Sequence, residues 1–92
     1  MTKPKIEIDY YSTSFCGPCR MFKPVFEQFA AAHPEVVCNS LIIDGLPEND
    51  VKPLNITSVP TLIFYKDGLE VDRIVGTKSK LALEQKLEDI TF

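Results

Sequence analysis

The sequence predicts an α/β fold in which helices flank a four-stranded mixed β-sheet, in the order β-α-β-α-β-β-α. Residues 5–11 alternate apolar and polar side chains, which is the period of a strand. Residues 17–32 carry apolar side chains at intervals of three and four, which is the period of an amphipathic helix. Asp67-Gly68 separates two strand-like runs and is a strong hairpin signal. Because 92 residues suit one hydrophobic core, we expect a single domain over residues 1–92.

The first strand, over residues 5–11, has one apolar face and one largely polar face. We therefore expect the second face to be only lightly covered by the rest of the chain. The apolar face carries Ile6, Ile8 and Tyr10, and the other face carries Glu7, Asp9 and Tyr11. We also expect Tyr10, Tyr11 and Phe15 to be partly exposed and to contribute to an apolar docking surface.

The helix that follows runs from Gly17 to about Ala32. Pro18 suits the first helical turn, where a missing N–H has no partner to lose. Pro24 lies in the interior, so we expect a kink there. His33-Pro34 ends the helix, because the residue before a proline avoids the helical conformation. The inward stripe is predicted to consist of Cys19, Phe22, Val25, Phe26 and Phe29.

The remaining elements follow from similar local signals. They are a strand over residues 36–43, a turn over 44–47, a short helix within 48–54, strands over 61–65 and 71–75, and a last helix capped by Ser79. The first β-α-β unit must be a right-handed crossover between parallel strands. The later hairpin then adds antiparallel strands, which makes the sheet mixed.

Composition narrows the classes of partner. A net charge of −3 provides no basic stripe for nucleic acid or an anionic membrane, so neither partner is expected. No apolar run is long enough to span a bilayer, and no apolar targeting core follows residues 1–5. Three cysteines, two of them close together, suit a working dithiol in a reducing compartment. We therefore expect a cytoplasmic protein and a monomer, with Cys38 a buried and unreactive thiol.

The reactive element is predicted to be Cys16-Gly17-Pro18-Cys19. Cys16 lies where a helix begins, so unpaired backbone N–H groups and the helix dipole should lower its pKa and favour the nucleophilic thiolate. Arg20, one turn further on, can add to this effect. Cys19 lies on the inward face and is expected to be the better-buried sulfur. Cys16 would attack a substrate disulfide, and Cys19 would then displace the product.

A zinc site is the main alternative for two cysteines at this spacing. His33 and Cys38 complete a set of four zinc-type ligands along the chain. If residues 20–32 are helical, however, His33 lies about 20 Å from Cys19 at ~1.5 Å per residue. Zinc ligands must converge to about 2.3 Å from the metal, so no metal site is expected.

The sequence resembles the thioredoxin family over residues 6–90. The Cys-Gly-Pro-Cys motif is the active-site motif of that family, and Pro24 matches its helix-interior proline. Val59-Pro60-Thr61 matches the cis-proline loop of the family, and the later glycine landmarks are Gly68 and Gly76. The resemblance implies a protein-disulfide reductase that binds no cofactor. It also implies a redox cycle through a Cys16–Cys19 disulfide, with electrons from NADPH delivered by a thioredoxin reductase-type flavoprotein.

The resemblance further implies which residues contact disulfide-containing protein substrates. Val59-Pro60 would be cis, leaving the Val59 backbone free to pair with a substrate chain like an added strand. The remaining contacts would come from residues around the motif and from the last glycine landmark. The implied substrate-binding set is Phe15, Gly17, Pro18, Val59, Pro60 and Gly76.

The chain also departs from the family pattern. Phe15 replaces the usual tryptophan, so an indole N–H donor is lost. Counting back from the motif without gaps puts Tyr10 where the family has a buried aspartate. Asp9 falls at that position, and could then act as the proton relay, only if the loop is one residue longer. The family's lysine partner falls at Ser40 or Leu41. Only about five residues precede the first strand, where ordinary thioredoxins have an extra strand and helix.

Two other functions remain open on the sequence. One is a protein-binding scaffold of the same fold in which the dithiol is incidental. The other is a glutaredoxin-like or oxidising variant, which a higher redox potential would favour. The sequence does not specify the potential, the substrates or the reductase.

Overall fold

The computed structural model describes residues 4–91 and contains the elements expected from the sequence, in the expected order. The strands are β1 (Ile6–Ser12), β2 (Val37–Ile42), β3 (Thr61–Lys66) and β4 (Leu69–Val75), and the helices are α1 (Gly17–Ala32), α2 (Glu48–Val51) and α3 (Lys80–Thr91). Short 3₁₀ turns span Ile43–Gly45 and Lys52–Leu54. Part of the N-terminal segment considered for a targeting signal, residues 1–3, lies outside the described range.

The four strands form one sheet in the order β2-β1-β3-β4. β1 is parallel to β2 and antiparallel to β3, and β4 is antiparallel to β3, which confirms the predicted mixed sheet. Tyr11, near the end of β1, pairs with Thr61 at the start of β3, and Thr61 pairs with Val75 at the end of β4. This register brings the loops after β1, before β3 and after β4 to the same edge of the sheet.

The main core lies between the sheet and the helices α1 and α3. α1 continues through Pro24 and buries Cys19, Phe22, Phe26 and Phe29, which confirms all of the predicted stripe except Val25, which is partly buried. These side chains pack with Ile6, Ile8, Tyr10, Leu62, Phe64, Leu83 and Leu87. Each fully buried phenylalanine contributes roughly 1.5–3 kcal/mol relative to an exposed one, so this stripe firmly holds the start of α1 against the sheet.

Local contacts at the element ends match the sequence signals. The Ser79 hydroxyl accepts a hydrogen bond from the Ala82 N–H at 3.1 Å and caps α3. Asp67 and Gly68 both have positive φ, at 53° and 88°, as a tight two-residue hairpin requires. β4 therefore begins at Leu69, directly after the turn, two residues earlier than predicted.

The second face of the sheet is better covered than the sequence suggested. Tyr11 is only 4% exposed, and Ile63 on the same face is fully buried. The Arg73 guanidinium, also on this face, donates to the Leu54 carbonyl at 2.9 Å and so ties the segment after α2 over the sheet. The expectation that Tyr10 and Tyr11 are partly exposed is therefore wrong, because packing covers both faces of β1. Within residues 4–91, no helix is long and apolar enough to cross a membrane.

Candidate active site

Cys16 and Cys19 form a disulfide at the N-terminus of α1. Their Cα atoms are 5.2 Å apart, and both residues are buried, at 7% and 5% exposure. Cys16 is the N-cap residue, and its Sγ accepts a hydrogen bond from the Cys19 N–H at 3.1 Å. The sulfur of Cys16 therefore lies at the positive end of the helix dipole, which stabilises a thiolate after reduction. Cys19 is slightly better buried than Cys16, in the direction that the sequence predicts, although the difference is small in this oxidised form.

The loop before β3 lies at the same end of the sheet as the disulfide, because β1 and β3 are adjacent and Tyr11 pairs with Thr61. The Val59–Pro60 peptide bond is cis, and Pro60 is buried. The Gly76 N–H donates to the Pro60 carbonyl at 2.8 Å, so the two landmarks that are distant in sequence are in contact. Gly76 has φ 97°, a left-handed conformation that favours glycine. The Thr61 hydroxyl donates to the Ser58 carbonyl at 2.6 Å and holds the other side of this loop.

Apolar surface borders one side of the buried disulfide. The Phe15 side chain is 93% exposed and Met21 is 80% exposed, so Phe15 is displayed as expected. A groove of about 640 Å³ runs along the first turns of α1 to the loop before α3. It is lined by Gly17, Pro18, Met21, Phe22, Val25, Thr77 and Lys78. The sequence reasoning missed Met21, although an apolar side chain outside the inward stripe of α1 and next to the motif was a usable signal.

Tyr10 occupies the position beneath the disulfide. Its hydroxyl donates to the Cys19 carbonyl at 3.0 Å, and its ring packs on Phe22 and Phe26 with centroids 5.6 and 5.1 Å away. Burial raises the pKa of Tyr10 above its usual value, so the hydroxyl keeps its proton at neutral pH. Tyr10 is thus a donor to the α1 backbone and, unlike a carboxylate, no proton acceptor for Cys19.

Asp9 lies on the opposite face of β1 from Tyr10, because successive side chains in a strand alternate. Its carboxylate accepts hydrogen bonds from the Asn39 side chain at 2.9 Å and from the Tyr11 hydroxyl at 3.4 Å. The proton-relay role considered for Asp9 does not fit this placement. Ser40, one of the two positions at which the resemblance puts the family's lysine, pairs directly with Tyr10 across the sheet.

The two other candidate metal ligands lie apart from the dithiol. His33 ends α1 at the far end from Cys16, where its ring contacts Glu84 at 2.8 Å and Glu35 at 3.3 Å. Cys38 lies in β2 and packs against the core, but it is half-buried, which corrects the prediction of a buried thiol. Burial, together with the nearby Glu35 carboxylate, raises the pKa of the Cys38 thiol to about 11. Among residues 4–91, no three or more His, Cys, Asp or Glu side chains cluster as a metal site would require.

Comparisons with known proteins agree with this geometry. The Thioredoxin family model matches residues 2–89. The thioredoxin of Mycobacterium tuberculosis is 40% identical over 84 residues, which cover 90% of this chain and 71% of that protein. The thioredoxin of Chlamydia trachomatis is 43% identical over 76 residues, which cover 83% and 72% of the two chains. The structure of Fasciola hepatica thioredoxin superposes with a TM-score of 0.83 at 31% identity, covering 95% and 82%.

The family match, the identities and the disulfide at the start of α1 lead to the same conclusion. The chain is a dithiol–disulfide oxidoreductase whose reactive couple is Cys16 and Cys19, and it belongs to the thioredoxin family.

Proposed function

We propose that this protein works mainly as a reductant of protein disulfides. The observation that carries the proposal is the Cys16–Cys19 couple at a helix N-terminus, bordered by exposed Phe15 and Met21. An apolar rim next to a reactive sulfur suits contact with another protein chain. The Phe15 side chain is exposed and is therefore available to contact a substrate protein.

The reaction follows from the chemistry of thiol–disulfide exchange. The Cys16 thiolate attacks one sulfur of a substrate disulfide, forming a mixed disulfide and releasing the other substrate sulfur as a thiolate. The Cys19 thiolate then attacks Cys16 Sγ, which releases the second substrate thiolate and closes the Cys16–Cys19 bond. Two electrons pass from the protein to the substrate, and the two released thiolates take up the two protons that the cysteine thiols gave up.

Cys19 has to lose its proton for the second step. Tyr10 holds its own proton at neutral pH, and by the resemblance it stands where the family has a carboxylate. We infer that the proton of Cys19 leaves to solvent or to the departing substrate thiolate. The rate of the second step should therefore follow the ionisation of Cys19 itself and not that of a buried acid.

The substrate chain is proposed to lie along the loop before β3. The Val59 backbone would pair with it as an added strand, beside Pro60 and Gly76. Gly17 and Pro18 are exposed next to Cys16 and lack bulky side chains, so a substrate backbone can approach the sulfur closely. The Phe15 ring would cover the apolar part of the contact.

The proposal extends to the redox cycle. The Cys16–Cys19 disulfide would be reduced by a flavoprotein of the thioredoxin reductase type that uses NADPH, and the protein would act as a monomer in the cytoplasm. A standard potential close to about −270 mV, the value typical of thioredoxins, would suit this role, and a potential near that of strong oxidants, about −120 mV, would argue against it.

The function is tested by insulin reduction catalysed by this protein, with electrons supplied either by dithiothreitol or by a thioredoxin reductase and NADPH. We expect Cys16→Ser to lose activity by at least roughly 100-fold, because the attacking thiolate is removed. Cys19→Ser should accumulate a mixed disulfide that is visible on non-reducing gels. Cys38→Ser is the matched control and should keep full activity, because its half-buried thiol is not part of the couple. Full insulin reduction by Cys16→Ser would overturn the assignment.

A further inference from the structure

A pocket of about 280 Å³ opens beside the disulfide, between the first turns of α1 and the end of β2, and its lining combines apolar surface with several hydroxyl groups and two cations. It lies on the other side of the cysteines from the apolar groove that contains Met21. Its lining includes both cysteines, the cations Arg20 and Lys23, and the hydroxyl-bearing Ser14 and Ser40. The pocket forms because β1 and β2 are parallel neighbours, so Ser40 and Ile42 end next to the loop that leads into α1.

The pocket is cationic although the chain as a whole has a net charge of −3. Arg20 and Lys23 supply two positive charges, and none of its lining residues carries a carboxylate. Asp44, an exposed acid next to the lining residue Ser14, accepts hydrogen bonds from the Ser14 N–H at 3.1 Å and the Ser14 hydroxyl at 2.7 Å.

Lys23 is only weakly engaged by the protein itself. Among residues 4–91, its one ion pair is with Glu27, at 3.9 Å, and the two side chains are 66% and 62% exposed. Exposed pairs of this kind contribute little and give way readily to another anion. Two available cations and several hydroxyl groups next to a reactive sulfur are a chemical match for a carboxylate.

We propose that this pocket binds an acidic side chain of the substrate close to the cysteine that Cys16 attacks, so that disulfides flanked by Asp or Glu are reduced preferentially. This inference rests on the proposed reductase function. The volume, just below the range of about 300–1,000 Å³ that holds whole small-molecule ligands, suits one side chain. Because Cys16 and Cys19 are themselves part of the lining, a carboxylate in the pocket places its own chain at the sulfur.

The two sides of the disulfide would then recognise different substrate residues. The apolar groove with Met21 suits an apolar side chain, and the cationic pocket suits a carboxylate. The chemical step is unchanged: Cys16 Sγ bonds to one peptide sulfur, the peptide S–S bond breaks, and Cys19 completes the transfer of two electrons. No external reductant is needed in a single turnover, because the reduced protein supplies both electrons.

The test uses synthetic peptides closed by one internal disulfide and identical except for the residue next to one cysteine, which is Glu, Gln or Lys. Peptides with the variable residue before and after the cysteine are both made. The second-order rate constant for oxidation of the fully reduced protein is measured in single turnovers. Each constant is divided by that for dithiothreitol with the same peptide, which removes differences in intrinsic disulfide reactivity.

We expect the normal protein to reduce the Glu peptide roughly fivefold faster than the Gln peptide, and the Lys peptide more slowly than either. The expected factor is small because ion pairs between partly exposed side chains contribute little free energy. The preference should shrink at 1 M salt, where the Debye length falls to about 3 Å. Arg20→Gln and Lys23→Gln should each lower the Glu-to-Gln ratio, and the double variant should bring it close to one. Lys66→Gln is the control, because Lys66 lies at the opposite end of the sheet from the disulfide, and its ratio should equal that of the normal protein.

The ratio is insensitive to changes in thiol reactivity or in the amount of folded protein, because both peptides report on the same sample. A Glu-to-Gln ratio that is the same in the normal protein and the double variant would overturn the pocket proposal and leave the reductase function standing. If no peptide were reduced faster by the normal protein than by Cys16→Ser, the reductase function itself would fail, and the pocket proposal with it.

Discussion

The hydrogen bond from Tyr10 to the Cys19 carbonyl gives the sharpest test of how the active site is held. Tyr10→Phe removes only the hydroxyl and keeps the ring contacts with Phe22 and Phe26. The bond is 3.0 Å long and buried, and a bond of this kind contributes about 0.5–1.5 kcal/mol to stability. The carbonyl of Cys19 keeps its helical partner, the N–H four residues on, so no buried acceptor is left without a donor.

We therefore expect the free energy of unfolding of the oxidised protein to fall by about 1 kcal/mol, or roughly 4–8 °C in melting temperature for a chain of this size. Urea unfolding followed by circular dichroism measures the change, with the m-value as a check that unfolding stays two-state. Tyr65→Phe is the matched control. Tyr65 is half-buried, and its hydroxyl makes no hydrogen bond within residues 4–91, so its loss should cost much less. Equal effects of the two substitutions would refute the structural reasoning.

Tyr10→Phe also tests the chemistry. Because burial raises the pKa of Tyr10, its hydroxyl does not accept a proton near pH 7, and the variant should reduce insulin within about twofold of the normal rate. The single-turnover rate of the second step, resolution of the mixed disulfide, is the direct measurement. A loss of tenfold or more in that step, with stability lowered by only about 1 kcal/mol, would show that Tyr10 transfers a proton to or from Cys19.

Two further predictions concern pH. The Lys86 ammonium donates to Asp72 at 2.6 Å, and chiefly this bond lowers the pKa of Asp72. The stability that this ion pair contributes is therefore present above the unfolded pKa of Asp72, about 3.9, and is lost as pH falls through the lower folded pKa. Lys86→Met should lower the free energy of unfolding by about 0.5 kcal/mol at pH 7, measured in urea, and by progressively less towards pH 2. A difference that stays constant with pH would contradict this prediction. Burial raises the pKa of Cys38 to about 11, so in protein lacking Cys16 and Cys19 the alkylation of Cys38 by iodoacetamide should be slow at pH 8 and faster above pH 10. The free energy of unfolding should also fall between about pH 8.5 and 11, because the thiol ionises first in the unfolded chain. Alkylation at pH 8 as fast as that of an unfolded cysteine would refute the second prediction.

The elements of secondary structure were largely readable from the sequence because each leaves a local pattern. The predicted helix over residues 17–32 matches α1 at both ends, and β1 and β2 differ from the prediction by one residue at each end. β4 was predicted to start too late, because its first residues, Leu69 and Glu70, are exposed and show little periodicity. What defines them as strand is pairing with Lys66 and Tyr65 across the hairpin, which is not a local property.

The coverage of β1 shows where period alone fails. Alternation correctly assigned Tyr10 and Tyr11 to opposite faces, but it could not show how well each face is covered. Tyr11 is buried because Arg73 and the segment ending at Leu54 cover the second face, and both come from far along the chain. The same limit applies to Asp9 and Tyr10, since only the fold shows which of the two side chains points towards Cys19.

By itself, the sequence determined the reactive chemistry and the family. Cys-Gly-Pro-Cys at the start of a helix, followed by a cis-type proline and glycine landmarks at matching positions, is local information that survives without coordinates. Only the tertiary structure decided what surrounds the cysteines: the Tyr10 hydroxyl on the Cys19 carbonyl, the Gly76 N–H on the Pro60 carbonyl, and the cationic pocket in which Lys23 lies near the end of β2. Each of these contacts joins residues from separate elements. Its geometry depends on sheet order and strand register, which many residues determine together and no single motif encodes.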